Sequence, residues 1–264
     1  RTPNPCVRCN DWLKFGRLHE YAQQIDADFV ASGHYAQVLR GPCGDLALCR
    51  GVDHDKDQSY VLFGTPRAQL ARMMLPIGGM RKPAVRELAR ARGLPVFDKP
   101  DSQEICFVPD NDYAGLVARR TPDAVRPGRV LDLAGTVIGE HEGHQHFTVG
   151  QRKGVRVALG SPVYVVRKDA DANTITVGPK DALLAPGCVA DDCNWLVEPH
   201  EDWRACTAKI RYNAEPVPAR VRASAASTAS IEVLFDQPQA AVAPGQAVVC
   251  FDGPRVVCGG WIVR

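Results

Sequence analysis

The chain has 264 residues, 45% hydrophobic and 23% charged, and its 32 basic and 30 acidic side chains leave a formal charge of +2. It can bury one large core or two to three small ones, and it is no polycation, so any nucleic acid would be held by a local basic patch. No apolar run approaches the ~18 residues of a membrane span, and no basic-then-apolar leader opens the sequence. No membrane partner and a cytoplasmic location are therefore expected.

Residues 1 to about 110 mix helix and strand. The opening, RTPNPCVRCNDWLKF, holds a C-x-x-C, Cys6 and Cys9, after a proline turn. Asn10 or Asp11 can cap a helix whose apolar residues Leu18, Tyr21, Ala22 and Ile25 fall at helical spacing. A short strand, Phe29–Ala31, breaks at Ser32-Gly33-His34. A second helix starts at Lys82-Pro83, keeps Val85, Leu88 and Ala89 on one face and stops at Gly93. A strand-like segment covers Glu104–Val108. The alternation suggests a parallel α/β sheet.

From roughly 115 to 180 two hairpins are expected, one around Ala134-Gly135 and one with Asp169–Asn173 as its loop. The polar segment HEGHQHFTVGQRKG lies between them. From about 185 short alternating strands follow (CTAKIRY, VPARVRA, SIEVLF, QAVVCFDG, RVVCGGWIV), as in a small β-barrel or sandwich. The resulting division is 1–114, 115–182 and 183–264.

Ten cysteines form no regular framework, and most read as small buried hydrophobes. At Cys6/Cys9 four readings stay open: half a zinc site, a redox couple, a nucleophile beside a bystander, or an inert turn pair. A position just before a helix cap favours a thiolate at Cys9, with Cys6 one turn further out. In an extended 101–108 segment, Ile105 and Phe107 share one face and Cys106 takes the other, either toward the crevice at the strand ends or, as spacing alone favours, as a half-buried structural cysteine. His141, His144 and His146 lack a completing Cys or carboxylate cluster and read as a polar, RNA-facing loop.

The motifs TPNPCVRCN with Lys14-Phe15, ASGHYA, DKDQSYVLF, LPIG, KPDSQEICFV, GQRKG, KIRYN and AVAPGQAVV occur in this order. In that order they resemble the tRNA-specific 2-thiouridylases, the MnmA family, essentially end to end. The resemblance implies part of an adenine-nucleotide α-hydrolase-like parallel sheet, then a small, mainly β central domain and a carboxy-terminal β-barrel. It implies an ATP- and Mg2+-dependent enzyme that adenylates the wobble uridine of tRNA at C2 and replaces the oxygen with persulfide sulfur. Cys106 would carry the persulfide and Cys9 would be its partner. Gly33 would lie at the nucleotide, His34 near the tRNA, and Asn4, Pro5 and Cys6 against the target base. Lys56, Asp57, Gln58, Arg211, Tyr212 and Gln246 would contact tRNA, and Arg152 and Lys153 would meet phosphate. The implied partners are tRNA and a cysteine desulfurase or sulfur-relay protein as persulfide donor. No structural metal is expected.

The chain departs from the family at one large point. The S-G-G-x-D-S loop that cradles pyrophosphate is not in this sequence; Gly78-Gly79 and Gly259-Gly260 lack its serines and aspartate. These residues alone are therefore expected not to adenylate tRNA and to expose apolar helix faces. The alternatives are a non-catalytic tRNA-binding remnant and a zinc-binding module. Val155-Arg156-Val157 after GQRKG, and Cys258 in a glycine-rich turn, are local departures.

Overall fold

A computed structural model describes residues 4–41, 44–99, 113–120, 125–157, 160–225 and 227–264. Helix α1 (Pro5–Arg8) runs directly into a π-helical stretch, Cys9–Arg17, and then into α2 (Leu18–Gln24). The start lies earlier than the cap expected at Asn10 or Asp11. Asn4 is the cap: its Oδ1 accepts from the Val7 N–H at 3.4 Å, and Pro5, with no N–H to satisfy, fits the first turn. Asn10 and Asp11 serve tertiary contacts instead. Asn10 Nδ2 donates to the Val61 carbonyl at 3.1 Å, and a Cβ on Gly64 would run into the Asp11 carboxyl. In the π stretch the Leu18 N–H reaches back five residues to the Leu13 carbonyl. That wider winding rotates the later side chains relative to a regular helix. Val7, Phe15, His19 and Ala22 are buried, while Leu18, Tyr21 and Ile25 point outward with Trp12, Leu13 and Phe29. Of the four expected face residues only Ala22 is inside.

Strand β1 (Val30–Ala31) follows, then the hairpin β2 (Ala36–Arg40) and β3 (Leu46–Arg50), three 3-10 turns over residues 54–72, and β4 (Met73–Met74). β1 and β4 pair in parallel. The β2–β3 hairpin leaves this sheet and joins the barrel, through the rung Arg255↔Cys49. Helix α3 (Lys82–Ala91) stops as expected, with Gly93 left-handed at φ +66°. Its N-terminus is capped from a distance, Asp53 Oδ2 accepting from the Lys82 N–H at 2.8 Å. Helix α4 spans Tyr113–Arg120. The strand expected at 104–108, with Cys106, lies outside the described residues.

The central unit contains both expected hairpins, β5 (Gly128–Leu131) with β6 (Val137–His141), and β7 (Tyr164–Asp169) with β8 (Thr174–Gly178). They join through a parallel β5–β8 pairing over a core of Val130, Phe147, Val165, Ile175 and Val177.

The carboxy-terminal unit is a closed antiparallel barrel. Its strands are β9 (Leu184–Trp195), β10 (Arg204–Lys209), β11 (Val217–Ser224), β12 (Ser227–Ala240), β13 (Ala247–Asp252) and β14 (Arg255–Ile262). The order is β13-β10-β11-β12-β9-β14, and β14 pairs back onto β13. Alternation along β13 serves two cores. Val248 and Cys250 face the barrel interior with Ala208, Val221, Ile231 and Val233. Ala247, Val249 and Phe251 face the amino-terminal unit and pack with Leu48, Tyr60, Leu62 and Phe63. The expectation for the cysteines holds here: Cys188, Cys250 and Cys258 are buried, and burial pushes the Cys188 thiol up to about 12.

Two glycine pairs that are not phosphate loops are explained by close packing. A Cβ on Gly259 would enter the Phe63 ring, and one on Gly78 would collide with the Ala36 carbonyl on β2. Because that obstacle is backbone, Gly78→Ala should cost roughly 2–4 kcal/mol, measured by urea unfolding against the native chain.

Candidate functional site

The seam between the α1 region and the barrel gathers many of the residues singled out from the sequence. Asn4 and Pro5 begin α1, Cys6 is exposed on its first turn and Cys9 is half-buried one turn on. Cys6 is thus inside the helix rather than beyond its start, and the dipole argument made for Cys9 alone applies to the first turn as a whole. Cys6 lies close enough to Tyr212 to act on its phenol electrostatically. The Tyr212 phenol lies near the side chain of Gln58, whose Oε1 accepts from the Tyr35 N–H at 3.0 Å. Beneath them Tyr60 is fully buried; its hydroxyl donates to the Ala247 carbonyl at 2.9 Å and also meets the Asn4 side chain. Burial raises the Tyr60 pKa, so the phenol stays neutral.

Two charged side chains are locked into this floor. Asp57 is 4% exposed. It accepts from the Gly51 and Ser59 N–H groups (3.1 Å each), Arg50 Nε (3.1 Å) and Ser59 Oγ (3.0 Å). Its carboxylate is therefore a structural anchor for the 56–58 loop, and Lys56 and Gln58 beside it are the half-exposed members. Lys209 is also buried, its ammonium 6.0 Å and 5.7 Å from the ring centroids of Tyr60 and Tyr212. Burial lowers its pKa, while Asp57 opposes the shift.

Arg211 reaches across to the central unit. Its Nη2 donates to the Ala241 carbonyl at 2.8 Å. A Cβ on Gly150 would stand 3.1 Å from the same nitrogen and 2.6 Å from Ala241 Cβ. With φ +91° as well, Gly150 of GQRKG is glycine because the two units touch there. Gln151 folds the rest of that motif, accepting from the Thr148 N–H at 3.0 Å and donating to the Lys153 carbonyl at 2.9 Å. Arg152 and Lys153 are left exposed at its tip. Gln246 is half-buried at the start of β13, in a turn its N–H closes onto the Ala243 carbonyl at 3.1 Å.

Gly33 is exposed just beyond the carboxyl end of β1, with Ile77 Cδ1 4.0 Å from where a Cβ would sit. His34 turns inward. Lys14 Nζ faces its Nε2 at 3.5 Å, so Nδ1 carries the proton and donates to Ser32 Oγ at 2.7 Å. Burial, aided by Lys14, lowers its pKa to about 4. In the histidine-rich segment His141 is also buried, packed 5.5 Å from Phe147, and His144 Nδ1 meets Asn173 Oδ1 at 2.9 Å. The expected RNA-facing histidine loop therefore points at least partly into the protein. Among the described residues no three His, Cys, Asp or Glu side chains gather to hold a metal ion, and no helix is long and apolar enough to cross a membrane. The sequence pattern does not single out Tyr60, Lys209 or Arg8, and it offers Asn10 only as a helix cap. The signal available for the first two was their place inside DKDQSYVLF and KIRYN.

Three family models match consecutive parts of the chain. They are described as a tRNA methyl transferase HUP domain (residues 1–110), a tRNA methyl transferase PRC-barrel domain (116–179) and an aminomethyltransferase beta-barrel domain (186–262). A protein of Rhodopirellula baltica named tRNA-specific 2-thiouridylase MnmA is 50% identical over all of this chain and 67% of its own length. The chain belongs to the MnmA family. Members from Geobacter metallireducens and Carboxydothermus hydrogenoformans are 48% and 44% identical, over 99% and 100% of this chain and 71% and 72% of their own lengths.

One ionisable group beside Cys9 has a pH consequence. Burial raises Asp11 to about 7, and Arg8 only partly offsets it; its Oδ1 has no hydrogen-bond partner among the described residues. Between pH 3.8 and 7 the unfolded chain has lost this proton and the folded chain keeps it, so stability from this group falls as pH rises. His34 acts in the opposite sense, reducing stability as pH falls from 6.5 toward 4. The gain from Asp11→Asn should therefore grow from pH 4 to pH 7 and level off above, reaching at most about 4 kcal/mol. Urea unfolding of both proteins at pH 4, 6 and 8 measures it.

Proposed function

We propose that this chain takes part in forming 2-thiouridine in tRNA, by ATP-dependent transfer of a persulfide sulfur to C2 of a wobble uridine. The observation that carries the reading is the convergence of Asn4, Cys6, Gln58, Tyr212 and the neighbouring Arg211 around a seam beside Cys9. These residues come from motifs at both ends of the chain, and relatives 50% and 48% identical to it are named tRNA-specific 2-thiouridylase. The same reading divides the chain at 1–114, 115–182 and 183–264.

The target base leaves its stack to reach the seam, where Tyr212 offers a ring face and Asn4, Pro5 and Cys6 an edge. ATP with Mg2+ supplies the adenylyl group that turns the C2 oxygen into a good leaving group. Gly33, exposed at the end of β1, is the backbone that would lie along the nucleotide. The outer sulfur of a persulfide on Cys106 bonds to C2 and AMP leaves. The Cys9 thiolate then attacks the Cys106 sulfur, the S–S bond to the transferred sulfur breaks, and its electron pair stays with the thiolated base. A Cys9–Cys106 disulfide results, which a thiol reductant must reopen with two electrons. A cysteine desulfurase or sulfur-relay protein reloads the persulfide. Arg152 and Lys153 meet phosphate, and Lys56, Arg211 and Gln246 complete the tRNA surface, with Asp57 holding the loop that presents Lys56 and Gln58; His34, expected there from the family, is buried and instead steadies the turn after β1 through Ser32.

In the full-length protein, Cys9→Ser and Cys106→Ser should each reduce 2-thiouridine by at least about 100-fold, read by nucleoside mass spectrometry. Normal yield from either variant removes that cysteine from the scheme. A full-length protein that binds tRNA and never thiolates it identifies a tRNA-binding protein without catalysis. Arg152→Ala and Lys153→Ala should each lower the salt dependence of tRNA binding by about one unit of slope, uniformly across tRNA sequences, measured by filter binding from 50 to 300 mM salt (about the range where such contacts screen).

A further inference from the structure

We infer that Arg8 is a positioning residue for Cys9, clamping the cysteine-bearing helix to the last strand of the barrel. The inference rests on the thiolation reading above. Cys9 opens a nine-residue π-helical stretch, a winding that is rare and concentrates at functional sites because it needs support from outside the helix. Both chain neighbours of Cys9 supply such support. On one side Asn10 Nδ2 donates to the Val61 carbonyl. On the other, the Arg8 guanidinium carbon lies 4.2 Å from the Trp261 ring centroid and 4.9 Å from that of Trp12, with Nη2 3.6 Å from Asp192 Oδ2.

These contacts are unequal. Asp192 is exposed and its ion pair is screened by solvent. Trp261 is 8% exposed, so the guanidinium meets a largely desolvated indole. The platform is itself held. Trp261 meets Phe63 edge-on at 6.1 Å, and Asn194 Nδ2 donates to the Phe63 and Thr65 carbonyls at 2.6 and 2.8 Å. A planar guanidinium can lie on such a ring, whereas a compact ammonium cannot reproduce the stack. The half-buried sulfur of Cys9 is thus set by a residue that touches neither the base nor the nucleotide, and the barrel becomes part of the sulfur-transfer apparatus.

The test uses the full-length protein with Arg8→Lys, Arg8→Leu and Trp261→Leu. Arg8→Leu and Trp261→Leu should each lower kcat for 2-thiouridine about 10-fold or more, with KM for tRNA within about twofold. Arg8→Lys, which keeps the charge, should recover less than half of the loss. Independently of activity, iodoacetamide should alkylate Cys9 several-fold faster in both leucine variants, with the rate at Cys193 unchanged, read by peptide mass spectrometry. Unchanged kcat and unchanged Cys9 alkylation overturn the inference. So does full rescue by lysine, or faster alkylation at Cys193 together with Cys9, which marks general loosening. Faster Cys9 alkylation in a protein whose native form makes no 2-thiouridine upholds the clamp and overturns the thiolation reading alone.

Discussion

Strand β13 is buried on both faces, and the arrangement of the site depends on that fact. Its even and odd positions belong to two cores, the barrel interior and the layer under Tyr60 and Phe63. A strand of this kind cannot slip by one residue without exchanging the two sets of side chains. The register that closes the barrel therefore also fixes the Ala247 carbonyl under Tyr60, and through Tyr60 the start of α1. The barrel is more than an appended module; one of its staves is the floor of the amino-terminal unit.

Above that floor the chain keeps several ionisable groups out of water and handles each differently. Asp57 has four donors around its carboxylate. Lys209 has aromatic faces on two sides of its ammonium and a carboxylate at longer range. His34 is held neutral between Lys14 and Ser32. Asp11 has an orphan Oδ1 among the described residues. Buried polar groups with full partnerships specify one geometry, and a partly satisfied one is where the structure carries strain. Of these four groups, Asp11 is the one with an orphan oxygen, and it lies two residues from Cys9.

Sequence patterns revealed those parts of the fold whose side chains alternate cleanly. The two central hairpins and five barrel strands were legible because polar and apolar residues change with period two and turns carry Gly, Asn or Asp. The sixth, β9, was not, because LAPGCVADDCNW buries few of its positions and alternates poorly. The helix start was misplaced because a cap was sought next to the apolar run, while Asn4-Pro5, the stronger signal, stood inside a motif read for chemistry. The face of that helix was misjudged because a π-helical winding leaves no trace in a 3.6-residue template. Among site residues, motif membership located Asn4, Cys6, Gln58, Arg211 and Tyr212, whose neighbours the structure supplies. It did not separate Asp57, an internal anchor, from the half-exposed Lys56 and Gln58 on either side. Arg8, Tyr60 and Lys209 act through partners far away in sequence, which spacing does not encode.

Those distant partners also constrain the order in which the chain becomes ordered. Tyr60 waits for a carbonyl 187 residues further on, and Asp45 for an arginine 210 residues further on, Arg255 Nη2 meeting Asp45 Oδ2 at 2.7 Å. During synthesis the first unit emerges with its floor missing and the β2–β3 hairpin without the strand it pairs with. Contacts of such length are slow to close, and apolar surface stays uncovered until they do. The ribosome therefore delivers this amino-terminal unit well before it can finish folding, and its maturation is timed by the appearance of the last barrel strands.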